Sequence, residues 1–434
     1  MQILLKAVVK FFRLPTVPIS IAAFAIGVFA GGVPQAAKAG GFAIIAQSGS
    51  GAGNAFAGAG ATAEDASTIW YNPAGMAALS GTSMSATANV IRTSYEFENT
   101  GSTGAFALPG TGEGGDGGGV SLVPQGYIST AIGDDLRVGV ALNVPFGLKT
   151  EYDSGWRGQL VALKSESKSY NVNPAIAYKV NKAVWLGAGI DYQYFSTTLS
   201  NYAGPVAGIA ELDAHDTGWG YNLGAMFNVT PTTRLGFAYR SQIRYDLQGT
   251  ANFSGGGGLL NSNARADLTV PENASVNFYS SVSERWEVMA SAVWTHWSRL
   301  QTLTVLRTSP SALGPAGSVV AQLPFNWRDT VMFALGANYD VPNSKFKIRF
   351  GAFYDPAVSN DATRTPRLPD ERRILLAVGG RYSISDHDSL DFGYGHEFIN
   401  DAAINDRVAG VPGALIGKFD NAVDSASVQY NHRF

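Results

Sequence analysis

The histidines of this 434-residue chain, His215, His296, His387, His396 and His432, are scattered, and there is no cysteine. Hydrolysis needs a nucleophile with a base beside it, yet neither an H-x-x-x-H nor a G-x-S-x-G pattern occurs. Without cysteine there is no thiol chemistry and no Cys-metal site. The glycine-rich stretches 114–119 and 255–258 lack the Lys-Ser/Thr of a phosphate loop and read as flexible connectors. Catalysis, a metal and a cofactor are therefore not expected. What remains is recognition of charge: Arg240 and Arg244 lie two steps apart on one strand face with Asp246 nearby, and Arg349 lies on another strand. Two readings of these arginines stay open, an ion-paired wet wall and contact with a ligand carboxylate.

The elements that must carry these arginines alternate with period two, the mark of a half-exposed strand. In 388–398, Leu390, Phe392, Tyr394, His396 and Phe398 share one face and Asp391, Gly393, Gly395 and Glu397 the other. In 235–248, Leu235, Phe237, Tyr239, Ile243, Tyr245 and Leu247 oppose Arg240, Gln242, Arg244, Asp246 and Gln248. In 345–354, Phe346, Ile348, Phe350 and Tyr354 oppose Lys345, Lys347 and Arg349. About fourteen such segments run from 82–97 to 422–434, an even number as a closed bacterial barrel requires. Short connectors such as 133–135 and 230–232 interleave with long ones such as 98–120 and 249–264, the rhythm of periplasmic turns and outer loops. The apolar face is expected to meet lipid and the charged face a wet lumen, with Trp156, Trp294 and Trp297 in an interfacial belt. No run of 18 apolar residues follows residue 39, which excludes spanning helices.

Residues 1–39 read as a secretion signal, with Lys6, Lys10 and Arg13, an apolar stretch over 18–29, and Ala37-Lys38-Ala39 as the cleavage site. Their removal moves the formal charge from −3 to about −7, because they hold four basic groups and no acid. Neither value points to nucleic acid. Residues 40–81 are rich in Gly and Ala and show little strand pattern. At the other end Val428, Tyr430, His432 and Phe434 alternate with polar residues; Tyr430 and Phe434 resemble the signal read by the barrel assembly machinery.

The 40–81 segment contains Gly40-Gly41-Phe42, then 48–58, Ala63-Glu64-Asp65-Ala66-Ser67, and Asn72-Pro73-Ala74. Further stretches are 146–152, Ala238-Tyr239-Arg240-Ser241, Trp294-Thr295-His296-Trp297-Ser298 and 368–372. In order and spacing this resembles the long-chain fatty-acid transporter family of the FadL/TodX type, over nearly the whole mature chain. The resemblance implies an all-β transmembrane barrel of fourteen antiparallel strands, with a small, partly helical N-terminal hatch (40–81) plugging the lumen of the barrel (82–434). It also implies uptake of hydrophobic compounds, fatty acids first, with lateral release through a gap at a kinked strand. Asn72, Pro73 and Ala74 would then be the hatch segment facing that gap. Pro145, which cannot donate to a ladder, and Gly147 would form the kink.

At two positions where the family has a basic carboxylate contact, this chain aligns Asn201 and Leu323, which favours a neutral or aromatic hydrocarbon as the alternative cargo. The expected partners are the hydrophobic substrate, outer-membrane lipid and lipopolysaccharide, and the assembly machinery, for a barrel working as a monomer. Other classes remain: a diffusion porin for small solutes, an adhesive barrel, and an outer-membrane phospholipase, for which His396 lacks a partner serine.

Overall fold

The computed structural model describes residues 40–434; the expected signal peptide lies outside the described residues. Within them fourteen antiparallel strands form the wall: β1 (Thr82–Asn99), β2 (Gly119–Ile132), β3 (Leu136–Asn143 and Gly147–Glu151), β4 (Lys164–Lys179), β5 (Val184–Tyr202), β6 (Ile209–Thr230), β7 (Thr233–Arg240 and Ile243–Phe253), β8 (Ser262–Val270 and Asn273–Ser281), β9 (Trp286–Thr295 and Thr302–Arg307), β10 (Val319–Pro324 and Thr330–Asp340), β11 (Phe346–Asp355), β12 (Arg373–Ser383), β13 (Asp388–Ile399 and Ala402–Asp406) and β14 (Gly413–Arg433). Strand β14 pairs with β1 from Ser83↔Arg433 to Asn99↔Gly417, so the sheet closes on itself. Closure pairs the ladder groups of β1 and β14 that open edges would leave bare in lipid.

Outward positions in the lower barrel carry Trp219, Phe237, Phe278, Leu335, Leu376 and Val428, all exposed. Strand β6 is 22 residues long, about twice the 9–11 residues that cross a bilayer. Its excess length, like that of its neighbours, builds a collar above the membrane.

Five strands are interrupted at one level: β3 at 144–146, β7 at 241–242, β8 at 271–272, β9 at 296–301 and β10 at 325–329. In β7 and β8 the two-residue break reverses which face points inward. Below it Arg240 and Asn277 face the lumen; above it Ile243, Tyr245, Leu247, Leu268 and Val270 are buried inside, while Arg244, Asp246, Arg265 and Asp267 are exposed. This corrects the sequence expectation that Arg240 and Arg244 share a lumen face. It also explains why an uninterrupted alternation misleads here: outside the collar is water, and the apolar side turns in. Two expected belt tryptophans turn inward as well. Trp156 stacks on Tyr152 at 4.4 Å in the outer loops, and Trp297 is buried inside the collar.

The hatch fills the lower lumen with α1 (Gly49–Ala52), α2 (Ala59–Thr62), α3 (Thr68–Tyr71) and a 3-10 turn over Pro73–Ala78. Helices this short are not stable alone; the wall holds them. Ser48 caps α1 through its Oγ, which accepts from Gly51 N at 3.0 Å. Inward glycines let backbone meet backbone. A Cβ at Gly187 would strike Pro73 and Ala74, one at Gly236 the Gly60 carbonyl, and one at Gly351 the backbone of Asn54.

Candidate functional site

Strand β3 does not follow the pleat at its break. The five residues 144–148 are all buried, where a barrel strand would expose alternate ones, so Pro145 sits in an inward kink. Strand β2 pairs with β3 only from Gly126↔Leu142 to Ile132↔Leu136. Its outer half pairs with β1 and Gly147–Glu151 with β4, the two being joined only above the gap, where Glu151 N donates to Gly117 O at 3.0 Å. The wall is therefore unzipped between outer β2 and outer β3.

The start of the hatch crosses this opening. Ile44 N donates to Pro145 O at 2.8 Å and Gly147 N to Phe42 O at 2.9 Å. Asn89 Nδ2 (3.0 Å) and Gln125 Nε2 (2.9 Å) donate to Ala46 O, and Gln47 Nε2 reaches Val144 O at 2.9 Å. Residues 42–47 thus supply partners to backbone that the kink has orphaned.

Phe42 points from this segment into the apolar collar. Its ring lies 5.4 Å from Phe146, 5.6 Å from Trp297, 5.8 Å from Trp327 and 6.3 Å from Phe195. Leu148, Leu247, Leu268, Leu303 and Val305 complete the chamber wall. A cavity of about 180 Å³ is lined by Ile44, Phe56, Pro73, Pro145, Phe146 and Arg240 among others. So Pro73, Pro145 and Arg240 share one cavity. Of these features, the chamber role of Phe42 had no sequence signal beyond its place in the hatch.

Asn72 and Ala74 take a different position from the one expected. Asn72 Nδ2 donates to Gly60 O at 2.8 Å and to Ala225 O of β6 at 3.1 Å, and Asn72 Oδ1 accepts from Ala74 N at 3.1 Å. This motif packs on the glycines of β5–β7, and residues 42–47 are the ones that cross the gap. Close approach to glycine decided the placement, which an alignment of the motif alone does not reveal.

The arginines separate. Arg240 is ion-paired with buried Asp191, donates to Trp70 O at 2.9 Å and lies 3.7 Å above the Trp70 ring. Arg244 is exposed on the outer surface of the collar, away from the cavity. Arg349 belongs to a latch: it donates to Glu64 at 2.7 and 3.1 Å and to Asp391 at 2.8 Å, and Arg381 bonds Asp391 at 2.8 Å and lies 3.3 Å from Glu64. Burial alone would raise the Glu64 carboxyl, but the Arg349 and Arg381 guanidiniums outweigh it and hold Glu64 well below the ordinary carboxylate range. Arg349 is therefore occupied by Glu64 of the hatch and by Asp391 of the wall. Asn201 donates to Leu160 O at 3.3 Å in the outer loops, and Leu323 packs on the chamber. Tyr430 and His432 hold Asp388 on the outer surface at the periplasmic end, where Phe434 N donates to Thr82 O at 2.9 Å.

A closed fourteen-stranded barrel with a lipid-facing apolar belt, a seated hatch and an apolar chamber beside a gap in the wall defines an outer-membrane transporter of hydrophobic compounds. The model of the outer membrane protein transport protein family (OMPP1/FadL/TodX) matches residues 32–434, and the chain belongs to that family. The family consists of transport proteins. The chain is 27% identical to outer membrane protein P1 of Haemophilus influenzae, over 87% of this chain and 89% of that protein. It is 26% identical to a long-chain fatty acid transport protein of Escherichia coli, over 81% and 85% of the two. Among solved structures, a FadL homologue of Pseudomonas aeruginosa aligns with a TM-score of 0.82 at 25% identity, over 91% of this chain and all of that one. The Ralstonia pickettii toluene transporter TbuX shares the fold, with a TM-score of 0.65 at 20% identity over 91% and 98%.

Proposed function

We propose that this barrel takes up long-chain fatty acids and comparable hydrophobic chains by passive, lateral transfer. The observation that carries the reading is the continuity of three features: an apolar chamber closed by Phe42, a cavity beneath it, and an unzipped wall at Pro145 and Gly147. Cargo enters the collar and takes the place of the Phe42 ring. Segment 42–47 then withdraws from β3, and the chain slides through the gap into lipid.

The energetics favour this route over an axial one. Each CH₂ exposed to water costs about 0.8 kcal/mol, whereas chamber, cavity and gap keep the tail in apolar surroundings. The axial path is filled by the hatch.

A second reading is supported by size. The cavity of about 180 Å³ is close to the roughly 150 Å³ that accommodates benzene, and a compact neutral hydrocarbon would fit without moving Phe42. In either case Tyr430 and Phe434 are proposed as the strand end handed to the assembly machinery. The barrel is proposed to work as a monomer in contact with lipopolysaccharide.

Uptake of labelled oleate and of toluene is compared in cells with and without the gene. Loss of oleate uptake in the deletion strain supports the first reading, and loss of toluene uptake alone the second. Unchanged uptake of both would remove the transport reading, and steady single-channel conductance for small ions in planar bilayers would replace it with a porin.

A further inference from the structure

We infer that the cavity beneath Phe42 is a site for a compact, uncharged molecule that carries one oxygen, such as a phenol, and that Gln193, Asn273 and Thr295 read that oxygen. The inference rests on the compact-cargo reading above and concerns the polarity of the occupant. The cavity of about 180 Å³ spans the level at which β7 and β8 reverse their inward face, so its lining includes Val270 above the break and Asn273 below it. Ile44 and Phe56 of the hatch, with Phe146 at the break of β3, make its apolar side. Gln193 of β5, Asn273 of β8 and Thr295 of β9 are on its polar side.

Charge on this lining is already balanced. Arg240 is ion-paired with Asp191, whose carboxylate also accepts from Asn171 Nδ2 at 2.8 Å and from Asn222 Nδ2 at 3.1 Å. An entering anion therefore meets no unpaired cation on the cavity wall, and taking a full charge out of water into such a place is costly. A neutral occupant avoids that cost.

Three neutral polar groups on the same lining are not balanced in this way. Gln193 is 2% exposed; its Oε1 accepts from the Tyr245 hydroxyl at 2.6 Å, and its Nε2 donates to no group among the described residues. Asn273 and Thr295 stand directly opposite each other on β8 and β9, and among the described residues neither side chain has a hydrogen-bond partner. Asn277, four residues along the same inward row, is by contrast fully engaged: its Oδ1 accepts from Ser291 Oγ at 2.7 Å and its Nδ2 donates to Ser275 Oγ at 2.9 Å. Polar groups shut away without partners are unfavourable, and a cavity this polar and roomy takes up water. A hydroxyl or carbonyl on the cargo takes over the bonds of that water, whereas a methyl group in the same place leaves the amides unpaired.

The test uses the full-length barrel in detergent and equilibrium dialysis of labelled toluene, phenol and benzoate, each referred to its uptake by protein-free micelles. Toluene and phenol have nearly the same shape and differ in a methyl against a hydroxyl. On this scale wild type is expected to retain phenol about tenfold over toluene, and benzoate not above the micelle reference. Gln193→Leu and Asn273→Leu should each remove most of the phenol preference and leave toluene within about twofold; Thr295→Val, which keeps the side-chain shape, should lower the preference without touching toluene. Heat-modifiable gel mobility checks that each variant is folded. Equal retention of toluene and phenol by wild type overturns the inference and leaves the compact-cargo reading standing. Retention of benzoate at the level of phenol also overturns it, as does a phenol preference that survives all three substitutions, or equal loss of both probes in each variant, which would make these side chains supports of the wall. If wild type retains neither toluene nor phenol, the compact-cargo reading itself fails.

Discussion

Below the level of Pro145 the strands present glycine, amide and charge to the lumen, and the hatch meets them backbone to backbone; above it the same strands present aromatic and aliphatic side chains to a single ring, Phe42. The lower region is specific. Its contacts are ion pairs and glycine-sized notches that suit one partner only, a segment of this chain. The upper region is not specific in that way, because apolar burial is non-directional; on the uptake reading proposed above, another hydrophobic occupant replaces Phe42. A seated plug and, on that reading, a replaceable stopper are built from one sheet by changing which face points inward.

The difference can be broken most severely at the glycine seat. Gly351→Val places carbon against the backbone of Asn54, and misfit of this kind costs about 1–3 kcal/mol or more. The hatch should unseat in a wall that still folds, giving open-channel conductance in planar bilayers where wild type is closed. Wild-type conductance in this variant would show that the seat tolerates a side chain.

The latch comes next. Glu64→Gln leaves Arg349 with one carboxylate fewer, and breaking a buried pair costs on the order of 3–5 kcal/mol, less here because Glu64 is partly exposed. A carboxyl held below its ordinary value contributes stability above the unfolded-state pKa near 4.5 and loses it only as pH falls through the lower folded value. Wild-type hatch protection in hydrogen exchange should therefore persist through pH 5 and weaken only in stronger acid, whereas Glu64→Gln should start weaker and lose this acid dependence.

Phe42→Ala sharpens the other side of the comparison. Removing a buried phenylalanine costs about 3 kcal/mol locally, yet the seated hatch should stay put. The expected outcome is faster exchange of the Ile44 and Gly147 amides, whose bonds span the gap, and faster oleate uptake. Slower uptake would mean that Phe42 guides cargo and does not block it. Arg244→Ala should do least, within about 0.5 kcal/mol and with uptake unchanged, because that side chain faces outward from the collar.

Much of this organisation is visible in the residues themselves. Alternation of apolar and polar positions is a property of each strand, set by the pleat and by lipid on one side, so the fourteen strands, their lipid face and the barrel class were legible from 82 onward. The Gly- and Ala-rich run 40–81 likewise announced a segment without strand character. Which face is inside was not legible at Ser241-Gln242 or Pro271-Glu272, since a two-residue break changes parity without changing the composition around it. Arg244 was misplaced for that reason, and Trp297 because it lies within the 296–301 interruption itself. The partner of a charge is likewise non-local: Arg349 meets Glu64 across 285 positions of sequence. Local periodicity determined the wall; pairing between distant segments decided what the wall encloses, because register, burial and charge balance are set by neighbours that the chain brings together only on folding.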